Sequence, residues 1–314
     1  MPRLDETARG VYLITVTPFH DDGRLDLEST DRVIDFYLEK GATGLTVLGV
    51  LGEAPKLTQA ESEAYVKRVL ARVQDRVPVI VGVSSPGFAA MGELGKRVMD
   101  LGASGVMVGP GAAVKTDDQA VAYYEMAAET LGADVPMCVQ DHPLAYSGVQ
   151  LPVPVLVRIF KSLKQAVMLK HEDWPGPGLA KLAAIRAASE RGDIRRISIL
   201  SGNGGGLFLP EELSRGADGA MTGFSYPEMM RDVVAAHAAG HVERAHDLFD
   251  AYLPLARYEQ QTALGLAVRK YMLQKRGAIA SAAIRKPGPK LSAADIADID
   301  RLIARQDKRL KELG

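Results

Sequence analysis

The 314-residue chain has few of the features that mark exported, membrane-embedded or nucleic-acid-binding proteins. Its single cysteine, Cys138, excludes an intrachain disulfide and favours a reducing compartment. No apolar run approaches the ~20 residues of a membrane span, and the polar start MPRLDETARG lacks the apolar core of a signal peptide. The formal net charge is -1, and no basic stripe offers a nucleic-acid footprint. We therefore expect a cytoplasmic protein with no membrane or nucleic-acid partner.

A short glycine repeat gives the first positive indication of the fold. Tetrapeptides of the form Gly-Ala-X-Gly begin at Gly41, Gly102 and Gly216, each between a stretch with helical spacing and a short apolar run. A glycine just past a helix ends it, and the second glycine permits the turn into a strand. The repeated unit indicates alternating helices and strands around a parallel sheet.

Eight short apolar runs extend this pattern along the chain. Most are apolar on both faces, as strands buried between a barrel core and a ring of helices must be. This predicts the α/β class and a TIM (β/α)8 barrel. An open doubly wound sheet is the alternative, but it requires a glycine fingerprint after the first strand, where this chain has TPFHDDG. The runs lie at 11–19, 45–50, 77–83, 106–109, 135–140, 166–170, 197–202 and 220–224.

After Tyr226-Pro227 the pattern is helical only, which predicts a C-terminal helical appendage. We expect the barrel to occupy residues 1–227 and the helical region to occupy 228–314. The predicted helices of this region cover 228–251, 254–275 and 292–312.

The active site of such a barrel lies at the C-terminal ends of the strands, and Lys170 ends the sixth run. A lysine there either extends its ammonium to solvent or sits in a dry barrel mouth, where desolvation favours the neutral, nucleophilic amine. If the strand persists, Lys170 and Glu172 point one way, and His171 and Asp173 the other. This alternation argues against a metal cluster formed by 171–173.

Glycines flank Val50 and Leu51 at the end of the second run. They let backbone N–H groups turn toward a ligand, which predicts a carboxylate cradle at Gly49, Val50 and Leu51. A tight turn with no ligand is the alternative. Glu53 follows, and we expect it to be a helix-start carboxylate rather than a base.

Polar side chains also end the fifth, seventh and eighth runs. A glutamine cannot carry a proton at neutral pH, so a neighbouring histidine, tyrosine or water would have to do so. For the fifth run a turn before proline is the structural alternative. The candidate catalytic residues here are Gln140, His142 and Tyr146, and the candidate substrate contacts are Gly202, Asn203 and Thr222.

Taken in order, these segments resemble the dihydrodipicolinate synthase/N-acetylneuraminate lyase family of class I aldolases over nearly the whole chain. VTPFHDDGRLD is similar to the family's opening "TPF…DG.(V/I)D", GVLGE to "GTTGE", and VMLK places Lys170 on the Schiff-base lysine. RVPVIVGVSS, SGNGG and SYPEM resemble the third, seventh and eighth strands.

Several departures accompany this resemblance. The family's two hydroxyl residues are replaced by Val50 and Leu51, and its strand-five tyrosine falls on Gln140. The arginine that follows in the synthases has no counterpart in 144–146, and "PYY" after the fourth strand reads Pro-Gly-Ala at 110–112. We therefore expect a divergent member that is not a true dihydrodipicolinate synthase.

The resemblance implies a lyase (an aldolase, hydratase-aldolase or dehydratase) in which Lys170 forms an imine with pyruvate or another 2-oxo acid. It implies no metal and no organic cofactor, because the iminium is itself the electron sink. Members of the family commonly form homo-oligomers, so the resemblance implies a dimer or a tetramer. A catalytically silent 2-oxo acid binding protein and a metal-dependent aldolase are the alternatives; turnover would exclude the first, and EDTA sensitivity would support the second.

Overall fold

Eight parallel strands close into a barrel in chain order, and the first strand pairs with the last. The structure is a computed structural model that describes residues 2–174, 176–202 and 206–314. The predicted TIM barrel is confirmed. The strands are β1 Gly10–Ile14, β2 Gly44–Val47, β3 Val79–Gly82, β4 Gly105–Val108, β5 Met137–Asp141, β6 Ala166–His171, β7 Ser198–Ser201 and β8 Gly219–Thr222.

Helices alternate with these strands and form the outer ring. Several begin at capping boxes, in which the side chain of Thr58, Thr116 or Ser292 accepts a hydrogen bond from the third residue of its helix. The helices are α1 Leu27–Glu39, α2 Gln59–Val73, α3 Phe88–Asp100, α4 Asp117–Leu131, α5 Val153–Ser162, α6 Gly178–Glu190, α7 Leu209–Leu213, α8 Pro227–Ala238, α9 Val242–Glu259, α10 Gly265–Lys275 and α11 Ala293–Leu313.

The C-terminal helices differ from the sequence prediction in their boundaries. A single helix over 228–251 was wrong: α8 ends at Ala238, because Gly240 takes a left-handed φ of 80°. The expected break near Pro254 was also wrong, since Pro254 lies inside α9, whose buried face continues past it with Leu255 and Ala256.

Two apolar layers fill the fold. The larger layer lies between the strands and the helices, and a smaller cluster fills the barrel interior with side chains such as Tyr12, Ile80, Met107 and Met168. Cys138 belongs to this inner cluster, and burial raises the pKa of its thiol to about 12. The cysteine is therefore part of the packing.

The helix α8 packs on β1, β8 and α7, and it also packs on α9, which in turn contacts α11. It thus connects the barrel to the appended helices, and the division at residue 227 remains a prediction. Within the three described ranges, no helix is both long and apolar enough to cross a membrane.

Candidate active site

Lys170 lies at the C-terminal end of β6 and opens into a cavity of about 320 Å³ at the mouth of the barrel. Its side chain is almost completely buried, and its Nζ atom is 2.7 Å from Oε2 of Glu172. The lysine therefore does not extend to solvent. The cavity is lined by Ile14, Val50, Leu51, Gln140, His142, Leu144, Ala145, Lys170, Glu172, Trp174, Gly202, Leu207, Thr222, Gln260 and Thr262.

Glu172 is the residue on which the polar groups of the cavity converge. Besides Lys170, it accepts a hydrogen bond of 2.8 Å from the side-chain amide of Gln140, and Nδ1 of His142 lies 3.4 Å away. The backbone N–H of Glu172 bonds to the carbonyl of Asp141, which continues the strand geometry beyond β6. Sequence analysis placed Glu172 on the same face as Lys170 but did not name it as a candidate catalytic residue. Its position two residues after Lys170 could have indicated that role.

Gly202 makes room for this carboxylate. A Cβ atom at position 202 would overlap the Cγ atom of Glu172, so a side chain here would displace it. Gly202 was predicted as a substrate contact, and it does line the cavity, but its packing against Glu172 already requires a glycine. The predicted contact Asn203 lies outside the described residues.

Tyr146 approaches the site from behind Gln140. Its hydroxyl donates to Oε1 of Gln140 at 2.8 Å and lies 3.4 Å from the hydroxyl of Ser84. Burial raises the pKa of Tyr146 to about 12, so the phenol stays protonated at neutral pH. Tyr146 is not among the described residues that line the cavity, so its hydroxyl acts on the site through Gln140.

His142 lines the cavity close to the carboxylate of Glu172. Burial lowers the pKa of its imidazole and outweighs the opposing effect of Glu172. The ring is therefore neutral at pH 7, and a neutral imidazole can accept a proton.

The predicted cradle adopts a tight turn. Gly49 precedes the 3-10 turn Val50–Gly52, and the side chains of Val50 and Leu51 line the cavity. The first N–H groups of such a turn have no carbonyl partner within it. Gly49 is not among the described residues that line the cavity; it leads the backbone from β2 into the turn.

Glu53 stands at a helix start, as expected, before the 3-10 turn Ala54–Lys56, but its carboxylate does not cap that turn. Glu53 makes no capping hydrogen bond and is only 2% exposed. Its carboxylate instead accepts from Nζ of Lys270 at 2.6 Å and from Nζ of Lys56 at 2.9 Å. Lys270 lies on α10, so this ion pair joins the cradle to the appended helices.

The remaining contacts come from β8 and from the appendage. Thr222 ends β8, is 3% exposed and lines the cavity. Gln260 and Thr262, between α9 and α10, also line it. Sequence analysis missed these two because nothing in the local pattern shows where an appended segment will pack.

The opposite faces of β5 and β6 carry a separate buried network. Lys181 on α6 lies 2.8 Å from Asp141 and 2.6 Å from Asp173, and Nε2 of His171 lies 2.8 Å from the carbonyl oxygen of Gly178. Through the shared backbone this network fixes the strand ends that carry Gln140 and Lys170. In the described portions of the chain, no group of three His, Cys, Asp or Glu residues could hold a metal ion.

Comparison with known proteins places this geometry in a family. The model of the Dihydrodipicolinate synthetase family matches residues 7–306. The chain is 30% identical to L-2-keto-3-deoxyarabonate dehydratase of Azospirillum brasilense, over 95% of this chain and 94% of that protein. It is 31% identical to 4-hydroxy-tetrahydrodipicolinate synthase of Thermotoga neapolitana, over 79% of this chain and 82% of that protein.

A solved structure extends the likeness. The crystal structure of dihydrodipicolinate synthase from Rhodopseudomonas palustris superposes with a TM-score of 0.94 at 50% identity, covering 97% of this chain and 100% of that one. The relatives named here are a dehydratase and synthases of one lyase family. The chain therefore belongs to the dihydrodipicolinate synthetase family.

Proposed function

We propose that the protein is a Schiff-base-forming lyase that acts on pyruvate or a larger 2-oxo acid through Lys170. The observation that carries this proposal is a buried lysine whose amine opens into a cavity and lies 2.7 Å from a carboxylate. An amine held in this way can be deprotonated on site and can reach a bound carbonyl carbon.

Imine formation uses Lys170 and Glu172. Glu172 accepts a proton from the ammonium, and the free amine of Lys170 adds to C2 of the oxo acid. One proton then moves from the nitrogen to the carbinolamine oxygen, and Glu172 returns the proton that it accepted. The oxygen leaves as water, and the nitrogen lone pair forms the C=N bond of the iminium. The amides of Val50 and Leu51, at the start of their 3-10 turn, offer hydrogen bonds to the substrate carboxylate.

Dehydration is the reaction that this site supports best. The iminium acidifies C3, and we assign the removal of a C3 proton to Glu172, which lies 2.7 Å from Lys170 and 3.4 Å from His142. Glu172, now protonated, gives its proton to the C4 hydroxyl, which leaves as water. The enamine electrons form the C3=C4 bond as it leaves. Hydrolysis of the imine releases the unsaturated 2-oxo acid and the lysine. The relative aligned over 95% of this chain bears the name of a dehydratase, which is consistent with this order of events.

Cleavage at C3–C4 remains the second candidate, because the same iminium stabilises the same electrons. We propose no synthase activity of the dihydrodipicolinate type, since Gln140 replaces the tyrosine relay and 144–146 contain no arginine. Neither step needs a metal or an organic cofactor, and EDTA should leave activity unchanged. A dimer or tetramer also remains a proposal, which light scattering would test.

The deciding experiment is to incubate the protein with pyruvate and a series of 2-oxo acids, reduce with borohydride, and determine the intact mass and the modified peptide. An adduct on Lys170 together with consumption of a 2-oxo acid would support the lyase. An adduct without turnover of any acid in the series would favour the silent binding protein. An adduct on Lys115 or Lys164 instead would contradict the proposal.

A further inference from the structure

We propose that the substrate of this cavity carries an uncharged, apolar tail beyond C4, aromatic or branched, which packs against Trp174, Leu144 and Val50. This inference rests on the proposed function, because Lys170 defines which end of the substrate enters first.

The first argument is the distribution of exposed apolar side chains. Of the five large hydrophobic residues that are exposed in the described part of the chain, Val50, Leu144 and Trp174 all line this one cavity, at 51%, 65% and 45% exposure. Exposed apolar groups gathered at one place indicate a binding site. A tail that covers them removes their surface from water and so gains affinity.

The second argument is charge. Lys170 is the one lysine among the described residues that line the cavity, those residues include no arginine, and Glu172 already neutralises the lysine. A second carboxylate or a phosphate on the tail would lose its hydration and find no opposite charge. The neutral state of His142 supplies none either. The tail is therefore uncharged.

The third argument is the construction of the rim. The ring of Trp174 packs against Phe208, with 4.8 Å between ring centroids, and Trp174 lies between this cavity and a neighbouring one that Phe208 also lines. The backbone N–H of Trp174 bonds to the carbonyl of Glu172 at 2.9 Å. Trp174 therefore follows Glu172 closely along the chain and lines the same cavity, so a substrate that extends past the reacting carbons can reach it.

A polyhydroxylated tail fits this rim less well. Each hydroxyl that leaves water needs a new hydrogen-bond partner, and the side chains of Val50, Leu144 and Leu207 offer none. Gln140, His142 and Lys170 are grouped around Glu172, at the end of the cavity where the reacting atoms bind, and so away from these three apolar side chains.

The test compares 4-phenyl-2-oxobutanoate with pyruvate and with a 2-oxo acid of five carbons that carries a hydroxylated tail. The readout is the concentration that gives half-maximal borohydride-trapped adduct on Lys170. We expect the half-maximal concentration of the phenyl acid to be at least roughly tenfold lower than that of either other acid, because extra apolar groups in a fitting pocket contribute this much affinity. A lower value for the hydroxylated acid, or equal values for all three, would overturn the proposal.

Two rim variants and a matched control assign the effect. Trp174→Ala and Leu144→Ser should abolish the preference for the phenyl acid, measured in each variant as the ratio of its value to the value for pyruvate. Met126→Ser is the control, since Met126 is 47% exposed on α4 and outside this cavity. Rim variants that keep the preference would contradict the assignment. If light scattering gave a rim variant a smaller particle mass than the wild type, the rim would be a contact between copies of the chain. That result would also contradict the assignment.

Tryptophan fluorescence separates this proposal from the proposed function. Trp174 is the only tryptophan of the sequence, so a tail that packs on it should change the emission even in Lys170→Ala, which cannot form an imine. Saturable quenching by the phenyl acid without any Lys170 adduct in the wild type would retain the tail site and contradict the lyase. Trapping on Lys170 without quenching would retain the lyase and contradict the tail site.

Discussion

Two buried lysine–glutamate pairs stand at the mouth of this barrel in different surroundings. Lys170 lies 2.7 Å from Glu172, and Lys270 lies 2.6 Å from Glu53. Lys270 also donates to the carbonyl oxygens of Thr17 and Ala283, both at 2.8 Å, and sits 4.5 Å from the centre of the Phe19 ring. The Nζ atom of Lys170 instead opens into the cavity.

The comparison separates burial from access: both lysines are buried, but Lys170 lines the cavity, whereas Lys270 is not among the described residues that line it. Burial lowers the pKa of Lys270 to about 8, which taken alone would suggest a reactive amine. An ammonium has three N–H donors, and all three of Lys270 are occupied. The group therefore ties α10 to the cradle turn, whereas Lys170 lines an open cavity, where the proposed function places the carbonyl carbon.

The largest effect should come from Lys170→Ala. We expect the loss of the borohydride adduct and a fall in kcat of roughly 10³-fold or more, as for other covalent nucleophiles. Lys170→Arg should fail as well, because a guanidinium stays protonated and cannot attack. Circular dichroism provides the control for folding. Full activity in Lys170→Ala would refute the assignment of the nucleophile.

Glu172→Gln should have the next largest effect. It keeps the shape of the side chain but removes the proton acceptor, so kcat should fall by about 10²–10⁴-fold. Trapping of pyruvate should persist, more slowly, because Lys170 is still present. Steady-state kinetics and intact mass measure the two steps separately, and a change confined to KM would show that Glu172 only binds substrate.

Lys270→Met should change stability rather than chemistry. It leaves the carboxylate of Glu53 buried without its closest cation, which costs about 3–5 kcal/mol of unfolding free energy in comparable buried pairs. Urea denaturation measures the loss, and a second substitution, Glu53→Gln, should restore part of it. Peptide mapping should still find the adduct on Lys170. Loss of the adduct in a folded Lys270→Met protein would break the contrast between the two pairs.

Glu61→Gln should have the smallest effect and should depend on pH. The hydrogen bond from Arg285, whose backbone N–H also reaches Glu53, lowers the pKa of Glu61 to about 2. A carboxylate whose pKa is lowered in the folded state stabilises the fold. This stability is fully present above the pKa of the unfolded chain, about 4.5, and is lost as the pH falls toward 2. For this partly exposed pair the difference between wild type and variant should be about 0.5–1 kcal/mol near pH 7. Urea titrations should show that the difference in unfolding free energy is smaller at pH 3.5 than at pH 7. A difference that grows in acid would contradict the prediction.

The sequence was sufficient for the parts of the fold that depend on local pattern. Strand β6 and the position of Lys170 at its end follow from an apolar run with a fixed period, and the alternation of Lys170 and Glu172 follows from the same geometry. The partner of Glu53 could not be predicted, because Lys270 comes from α10, 217 residues further along the chain. Gln260 and Thr262 were missed for the same reason, since packing of the appended helices decides their position.

The fit between Tyr146 and Gly109 also limits how this active site can change by mutation. A Cβ atom at position 109 would overlap the phenol ring, so Tyr146 can occupy its place only while residue 109 is glycine. The hydroxyl that contacts Gln140 depends in turn on that placement. A side chain at 109 would displace Tyr146 unless residue 146 first became smaller. Residue 109 can therefore gain a side chain only after residue 146 has become smaller, and that change removes the hydroxyl that contacts Gln140.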